Sequence, residues 1–134
     1  MKRYFFLITM ICAMLSLNVF AKDQEAFTSG EYEYTLLEDG TVEITNYFGN
    51  ATELVVPGEL DEYAVTSIGE SAFFNRASLS SITLPDSLTS IGIGAFFDCA
   101  SLTIIANRES YAAEYCKEND FNYTYTDAND WLNS

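Results

Sequence analysis

Apolar residues in the middle of the chain fall into the same places twice. Residues 65–87, VTSIGESAFFNRASLSSITLPDS, and residues 88–110, LTSIGIGAFFDCASLTIIANRES, align after a shift of 23 positions. The apolar matches are Ile68/Ile91, Ala72/Ala95, Phe73/Phe96, Phe74/Phe97, Leu79/Leu102 and Ile82/Ile105, and Thr66-Ser67 and Gly69 recur as Thr89-Ser90 and Gly92. A unit of this length cannot bury its apolar edge alone. Stacked copies bury a continuous core, which makes a solenoid. The expected core is Ile68, Phe73, Leu79, Ile82, Leu84, Ile91, Phe96, Leu102 and Ile105.

Within each unit the alternation around Ile82 and Leu84 predicts a strand, and Pro85-Asp86 ends it. Ser71-Ala72-Phe73-Phe74 suits one turn of α or 3₁₀ helix, with one ring of each Phe pair inside and the other partly exposed. Upstream, Glu31–Tyr34 and Thr41–Ile44 read as a hairpin around Glu38-Asp39-Gly40. Leu54-Val55-Val56-Pro57 resembles a degenerate first coil, aligned with Ile82 to Pro85 and followed by an insertion within residues 58–65. Downstream, Ser110 is placed to cap a helix over Tyr111–Glu118 that stops at Asn119, and Phe121 to Tyr125 alternates like a closing strand.

The amino terminus is built differently. Lys2 and Arg3 precede an apolar run from Tyr4 to Leu17, and Val19-Phe20-Ala21 offers a cleavage site, so residues 1–21 read as a secretory signal peptide. Cys12 lies inside the apolar run behind Ile11, a poor context for lipid attachment. The remaining organisation is a β cap with the degenerate coil over 22–64, two repeats over 65–110, a cap over 111–125 and a polar tail over 126–134 in which Trp131 and Leu132 are the apolar exceptions. Loss of Lys2 and Arg3 takes the formal charge from −14 to −16. Such a chain repels phosphate backbones and anionic membrane surfaces, so nucleic acid and direct membrane binding are not expected; basic partners are favoured. Cys99 sits at a small-residue repeat position and Cys116 on the expected helix, so both are expected as free thiols despite an exported setting.

Thr66-Ser67-Ile68-Gly69-x-x-Ala72-Phe73 and Leu79-x-x-Ile82-x-Leu84-Pro85 resemble the BspA-like leucine-rich repeats of bacterial secreted and surface proteins. Asp39-Gly40-Thr41, Tyr47-Phe48-Gly49 and Val55-Val56-Pro57 are similar to the family's amino-terminal segment, and Ser110 to Tyr115 with Asn119 to its carboxy-terminal cap. The resemblance implies an α/β repeat fold: a short right-handed leucine-rich-repeat solenoid with an N-terminal β-hairpin cap, a C-terminal helix/strand cap and a parallel sheet on the concave face. It also implies adhesion or protein binding by a secreted or cell-surface protein, and the expected signal peptide allows a periplasmic location as well.

The chemistry of the chain agrees with a non-catalytic role. The absence of histidine removes Ser-His-Asp and Cys-His systems and the commonest metal ligand. Neither a cofactor nor a metal site is expected, and Gly92-x-Gly94 lacks the context of a phosphate loop. Glu59, Asp61 and Glu62 are the best paired-carboxylate candidates, and a solvated loop accounts for them. The Asn50-Ala51-Thr52 and Asn122-Tyr123-Thr124 sequons matter only in a eukaryotic secretory pathway. With Ile82 and Leu84 inward, Ser81 and Thr83 point out of the sheet; the repeat shift extends that stripe to Glu53 and Val55 on one side and to Ile104 and Ala106 on the other. Those six residues are the expected contact surface for a protein or glycan. Tyr32, Tyr34, Tyr47 and Phe48 form a second candidate, with packing of the cap as their simpler role. The alternative function is a structural envelope or extracellular scaffold with no ligand of its own.

Overall fold

A computed structural model describes residues 25–127. The signal peptide expected at 1–21, and Trp131 and Leu132 of the tail, lie outside the described residues. The described chain winds through ten strands and one helix: β1 (Ala26–Ser29), β2 (Tyr32–Leu36), β3 (Val42–Tyr47), β4 (Glu53–Val55), β5 (Glu59–Leu60), β6 (Tyr63–Ile68), β7 (Ser81–Thr83), β8 (Ser90–Ile91), β9 (Thr103–Ala106), α1 (Tyr111–Glu118) and β10 (Tyr123–Tyr125). Two sheets result. In the first, β1, β2 and β3 form an antiparallel meander; β3 then pairs in parallel with β6, and β6 with β8. The second runs β4-β7-β9-β10 and is parallel throughout. Each coil of this short solenoid therefore adds one strand to a wall already there.

The amino-terminal cap closes the core with a real hairpin. Gly40 takes φ 90° at its turn, where a side chain would be strained. Asp39 Oδ1 accepts from Thr41 N at 3.0 Å and Thr41 Oγ1 at 2.6 Å, bonds that lower the Asp39 carboxyl pKa. Strand β1, absent from the pattern reading, adds an outer edge to this hairpin. The insertion over 58–65 is a second hairpin rather than a loop, formed by β5 and β6. Asp61 (φ 51°) and Glu62 (φ 75°) make its turn. Two positive φ values match the twist of a two-residue hairpin, although neither residue is glycine.

The segment after each Ile-Gly is a pair of linked turns, not the single helical turn expected. Ala72 N donates to Gly69 O at 3.2 Å and Phe74 N to Ser71 O at 3.0 Å. Ser71 (φ 58°) and Asn75 (φ 59°) take left-handed backbone at either end, so helix cannot propagate. The second repeat repeats the device with Gly94 (φ 69°) and Asp98 (φ 65°). These turns point Phe73 and Phe96 inward, 0% and 3% exposed, and leave Phe74 and Phe97 outside, 45% and 61% exposed.

Inside, aromatic rings form a spine along the solenoid axis. Tyr32 meets Tyr47 (ring centroids 5.3 Å apart), Tyr47 meets Phe73 (5.4 Å), and Phe73 stacks on Phe96 (5.5 Å). Phe121 closes the spine edge-on to Phe96 at 5.9 Å. Such pairs add to the burial of their rings. Around the spine Ile44, Ile68, Leu79, Ile82, Leu88 and Ile104 are fully buried.

Helix α1 seals the far end. Ser110 Oγ accepts from Ala113 N at 3.1 Å, and Ala112, Ala113 and Cys116 face the core. Asn119 stops the helix, with its backbone N–H on Tyr115 O at 3.0 Å. Beyond β10, Arg108 Nε donates to Asp127 Oδ2 at 3.0 Å and its guanidinium lies 4.2 Å from the centre of the Tyr125 ring. Cys99 and Cys116 are both free thiols. Burial pushes the Cys116 thiol up to about 11, so it packs as a small apolar group at neutral pH.

Candidate binding surfaces

The parallel sheet offers one face to the core and one to solvent. Leu54, Ile82, Ile104 and Tyr123 are mutual partners across it, on the inward parity. The outward parity carries two rows. Glu53, Ser81 and Thr103 are in register, as are Val55, Thr83, Ile105 and Thr124. Backbone bonds link its strands: Val56 N to Thr83 O at 2.9 Å, Leu84 N to Ile105 O at 2.9 Å, and Thr126 N to Ala106 O at 3.0 Å. The outward side chains are small hydroxyls and aliphatics with one carboxylate, Glu53, and Val55 is 71% exposed.

Four of the six expected contact residues stand on this face: Glu53, Val55, Ser81 and Thr83. Ile104 and Ala106 do not. Both are fully buried, and their outward places belong to Thr103 and Ile105, so Ile105 also leaves the expected core. The cause is one residue missing from the second repeat. Ile82 pairs with Ile104, 22 positions on rather than 23. The turns before it keep the 23-residue spacing, since Ser67 pairs with Ser90 and Ile68 with Ile91. In the first repeat Ser80 fills the extra place; both its N–H and its hydroxyl donate to Thr52 O, at 2.7 and 2.9 Å. A strand alternates faces with period two, so one slipped residue turns every side chain over. The signal was present as Leu102-x-Ile104-x-Ala106, an unbroken alternation.

The second candidate surface is mostly interior. Tyr32, Tyr34 and Tyr47 are buried in the cap, and Phe48 alone of the four is half exposed. Tyr34 OH donates to Asp61 Oδ2 at 2.6 Å, and Ser29 Oγ donates to Asp61 Oδ1 at 3.1 Å. Burial first, then this hydrogen bond to a carboxylate, pushes the Tyr34 phenol up to about 12. Asp61 therefore ties the inserted hairpin to the cap, which accounts for a carboxylate that the sequence offered to chemistry. Among the described residues, no three or more Cys, Asp or Glu side chains gather to hold a metal ion.

A further surface, at the turn edge, has no counterpart in the sequence pattern. Phe74 and Phe97 stack outside the solenoid, centroids 5.8 Å apart and planes 10° apart. Beyond Phe97 a shallow groove of about 740 Å³ opens between the second repeat's turns and the exit of α1, with Asn75, Asp98, Tyr115, Asn119 and Phe121 among its walls. No local motif encodes it, because it forms at the junction of a repeat with a cap.

Comparison with known proteins agrees with this geometry. Residues 46–125, more than half of the chain, match the family described as BspA type leucine rich repeat region (6 copies). No curated protein matches the chain. A leucine rich cell surface protein from Faecalibacterium prausnitzii is 30% identical, with a TM-score of 0.63; the match covers 80% of this chain and 31% of that one. A leucine-rich repeat protein from Bacteroides capillosus is 32% identical (TM-score 0.52), over 61% of this chain and 70% of that one. The leucine rich repeat protein of T. pallidum is 25% identical (TM-score 0.54), over 66% of this chain and 47% of that one. This chain thus spans under a third of the Faecalibacterium protein and about half of the treponemal one. With the repeat motif, the parallel coils and the matched residues in agreement, the chain belongs to the BspA-type leucine-rich repeat family.

Proposed function

We propose that the protein is a secreted or surface-exposed, non-catalytic adhesion module that recognises a protein or glycan through the outer face of its parallel sheet. The observation that carries this reading is the double row of Glu53, Ser81 and Thr103 beside Val55, Thr83, Ile105 and Thr124. One side of the sheet is committed to the core, and the other, with Glu53 and Val55 exposed and the rest half-buried, can vary at a smaller cost to folding. Its mixture of hydroxyl and aliphatic groups with the Glu53 carboxylate suits a partner surface of mixed polarity, and a solenoid offers such a wall as one continuous strip. Export fits the leader-like residues 1–21 and the cell-surface relative from Faecalibacterium. The acidic balance favours partners with exposed basic groups.

The test is a binding screen of the purified protein against extracellular-matrix proteins and glycans, with a Ser81→Arg/Thr83→Glu variant alongside. A saturable hit lost in the variant supports the outer face as the recognition surface. A clean negative from a well-folded protein moves the assignment to a scaffold with no ligand of its own.

A further inference from the structure

We propose that the groove beyond Phe97 receives an arginine side chain from a basic segment of a partner protein. This surface lies on the turn edge and stands independently of the sheet face. Its starting point is the contrast between the two aromatic stacks. The inner stack, Phe73 on Phe96, is continued by Phe121. The outer stack, Phe74 on Phe97, reaches its last ring where the groove begins, and Phe97 is part of the groove wall. A planar group seated there extends the outer stack by one layer.

The polar lining selects which planar group. Asp98 is the one charged residue in the groove wall among the described residues. The Asn119 side-chain nitrogen gives one of its two N–H groups to Tyr115 O at 2.9 Å, and the amide oxygen adds an acceptor. The Cys99 thiol donates to Phe73 O at 3.1 Å. The wall therefore sets one negative charge, with amide and phenol oxygens, beside an aromatic face. A guanidinium is planar, carries five donors and no acceptor, and stacks on aromatic rings. A lysine ammonium lacks the plane. A neutral sugar gains nothing from the Asp98 charge. The chain's formal charge of −14 adds a long-range attraction for a basic segment.

The experiment is fluorescence anisotropy with labelled Gly-Gly-Arg-Gly-Gly and Gly-Gly-Lys-Gly-Gly peptides, titrated with the purified protein at low and at near-physiological salt. The arginine peptide is expected to bind more tightly than the lysine peptide. Phe97→Ala and Asp98→Asn are each expected to weaken it roughly 3-fold to 10-fold. Phe97→Trp, a better platform, is expected to hold or improve the affinity. Glu59→Gln makes the same charge change as Asp98→Asn at a distance from the groove and is expected to leave the affinity within about 2-fold. Phe97 is 61% exposed, so a melting temperature near wild type checks that Phe97→Ala is folded. The proposal is overturned by an arginine peptide that does not bind, or by one indifferent to Phe97→Ala. Equal losses in Glu59→Gln and Asp98→Asn would reduce it to diffuse charge. A neutral oligosaccharide that binds in a Phe97-dependent way while the peptide does not would replace it with a carbohydrate site. The Ser81→Arg/Thr83→Glu variant changes the sheet alone, so failure here and failure of the sheet reading are separable.

Discussion

Phe96 and Phe97 are neighbours in the chain and stand on opposite sides of the solenoid wall. Phe96 is 3% exposed and joins an aromatic spine running from the amino-terminal cap to the carboxy-terminal one. Phe97 is 61% exposed and stacks on Phe74 alone among the described residues. One motif, Ala-Phe-Phe, thus supplies both the glue between coils and an apolar ridge on the surface. The difference is set by backbone, since the left-handed residues at Ser71 and Asn75, and at Gly94 and Asp98, bracket each pair and hold one ring in and one ring out. Composition alone cannot distinguish two identical side chains; their place in the turn does.

The comparison breaks most sharply under truncation. Phe96→Ala is expected to cost about 3–5 kcal/mol, because the cavity it leaves lies between two coils and the cap. Phe97→Ala is expected to cost under about 1 kcal/mol, the value of an exposed stack. Against a total stability of about 5–15 kcal/mol, the first variant melts far below wild type and the second close to it. Equal melting temperatures for the two would refute the division between inner and outer rings.

A smaller loss is expected where the coils touch through backbone. A Cβ on Gly92 would stand 2.6 Å from Glu70 N and 2.8 Å from the Gly69 carbonyl carbon. Gly92→Ala should therefore cost about 1–3 kcal/mol by forcing the coils apart. Gly58, where the nearest atom would be 3.9 Å away, is the matched control and should tolerate alanine. Thermal unfolding of the pair separates close approach from a general effect of losing glycine.

The amino-terminal cap buries phenols, and that gives it a pH limit. Burial first of all holds Tyr32 up to about 12, and burial with the Asp61 bond holds Tyr34 up to about 12. The unfolded chain releases these protons near pH 10. Their contribution is therefore complete below about pH 10 and is lost as pH rises toward 12. Circular dichroism over pH 9–12 should show base unfolding, and Tyr34→Phe should shift it upward. The smallest effect is expected at the other end. Ser110→Ala removes the N-cap of α1 and should cost about 1 kcal/mol, seen as a modest drop in melting temperature.

Much of the architecture is legible in the sequence because the repeat forces the same residues into the same environment twice. Ile68 and Ile91, Phe73 and Phe96, and Leu79 and Leu102 are all buried. The helix is legible for a local reason, a serine cap before a run of good helix formers. The outward face is only half legible. The identity of Ile82 with Ile105 fixed the wrong register, because a one-residue deletion before β9 puts Ile104 opposite Ile82. Strand β1 hid because AFTS is short and weakly patterned. The Asp61-Glu62 turn hid because it takes left-handed backbone without glycine. The groove beside Phe97 could not be read at all, since its walls come from a repeat turn and a helix exit that sequence spacing does not bring together.

The central claim is that the sheet's outer rows recognise a partner while contributing little to folding. Its most direct test is the affinity of Thr83→Glu/Ile105→Glu for whichever matrix protein or glycan binds the wild-type protein, with melting curves for both. The account predicts at least a tenfold loss of affinity with the melting temperature nearly unchanged. Undiminished binding by this folded variant would contradict it and place recognition elsewhere on the molecule.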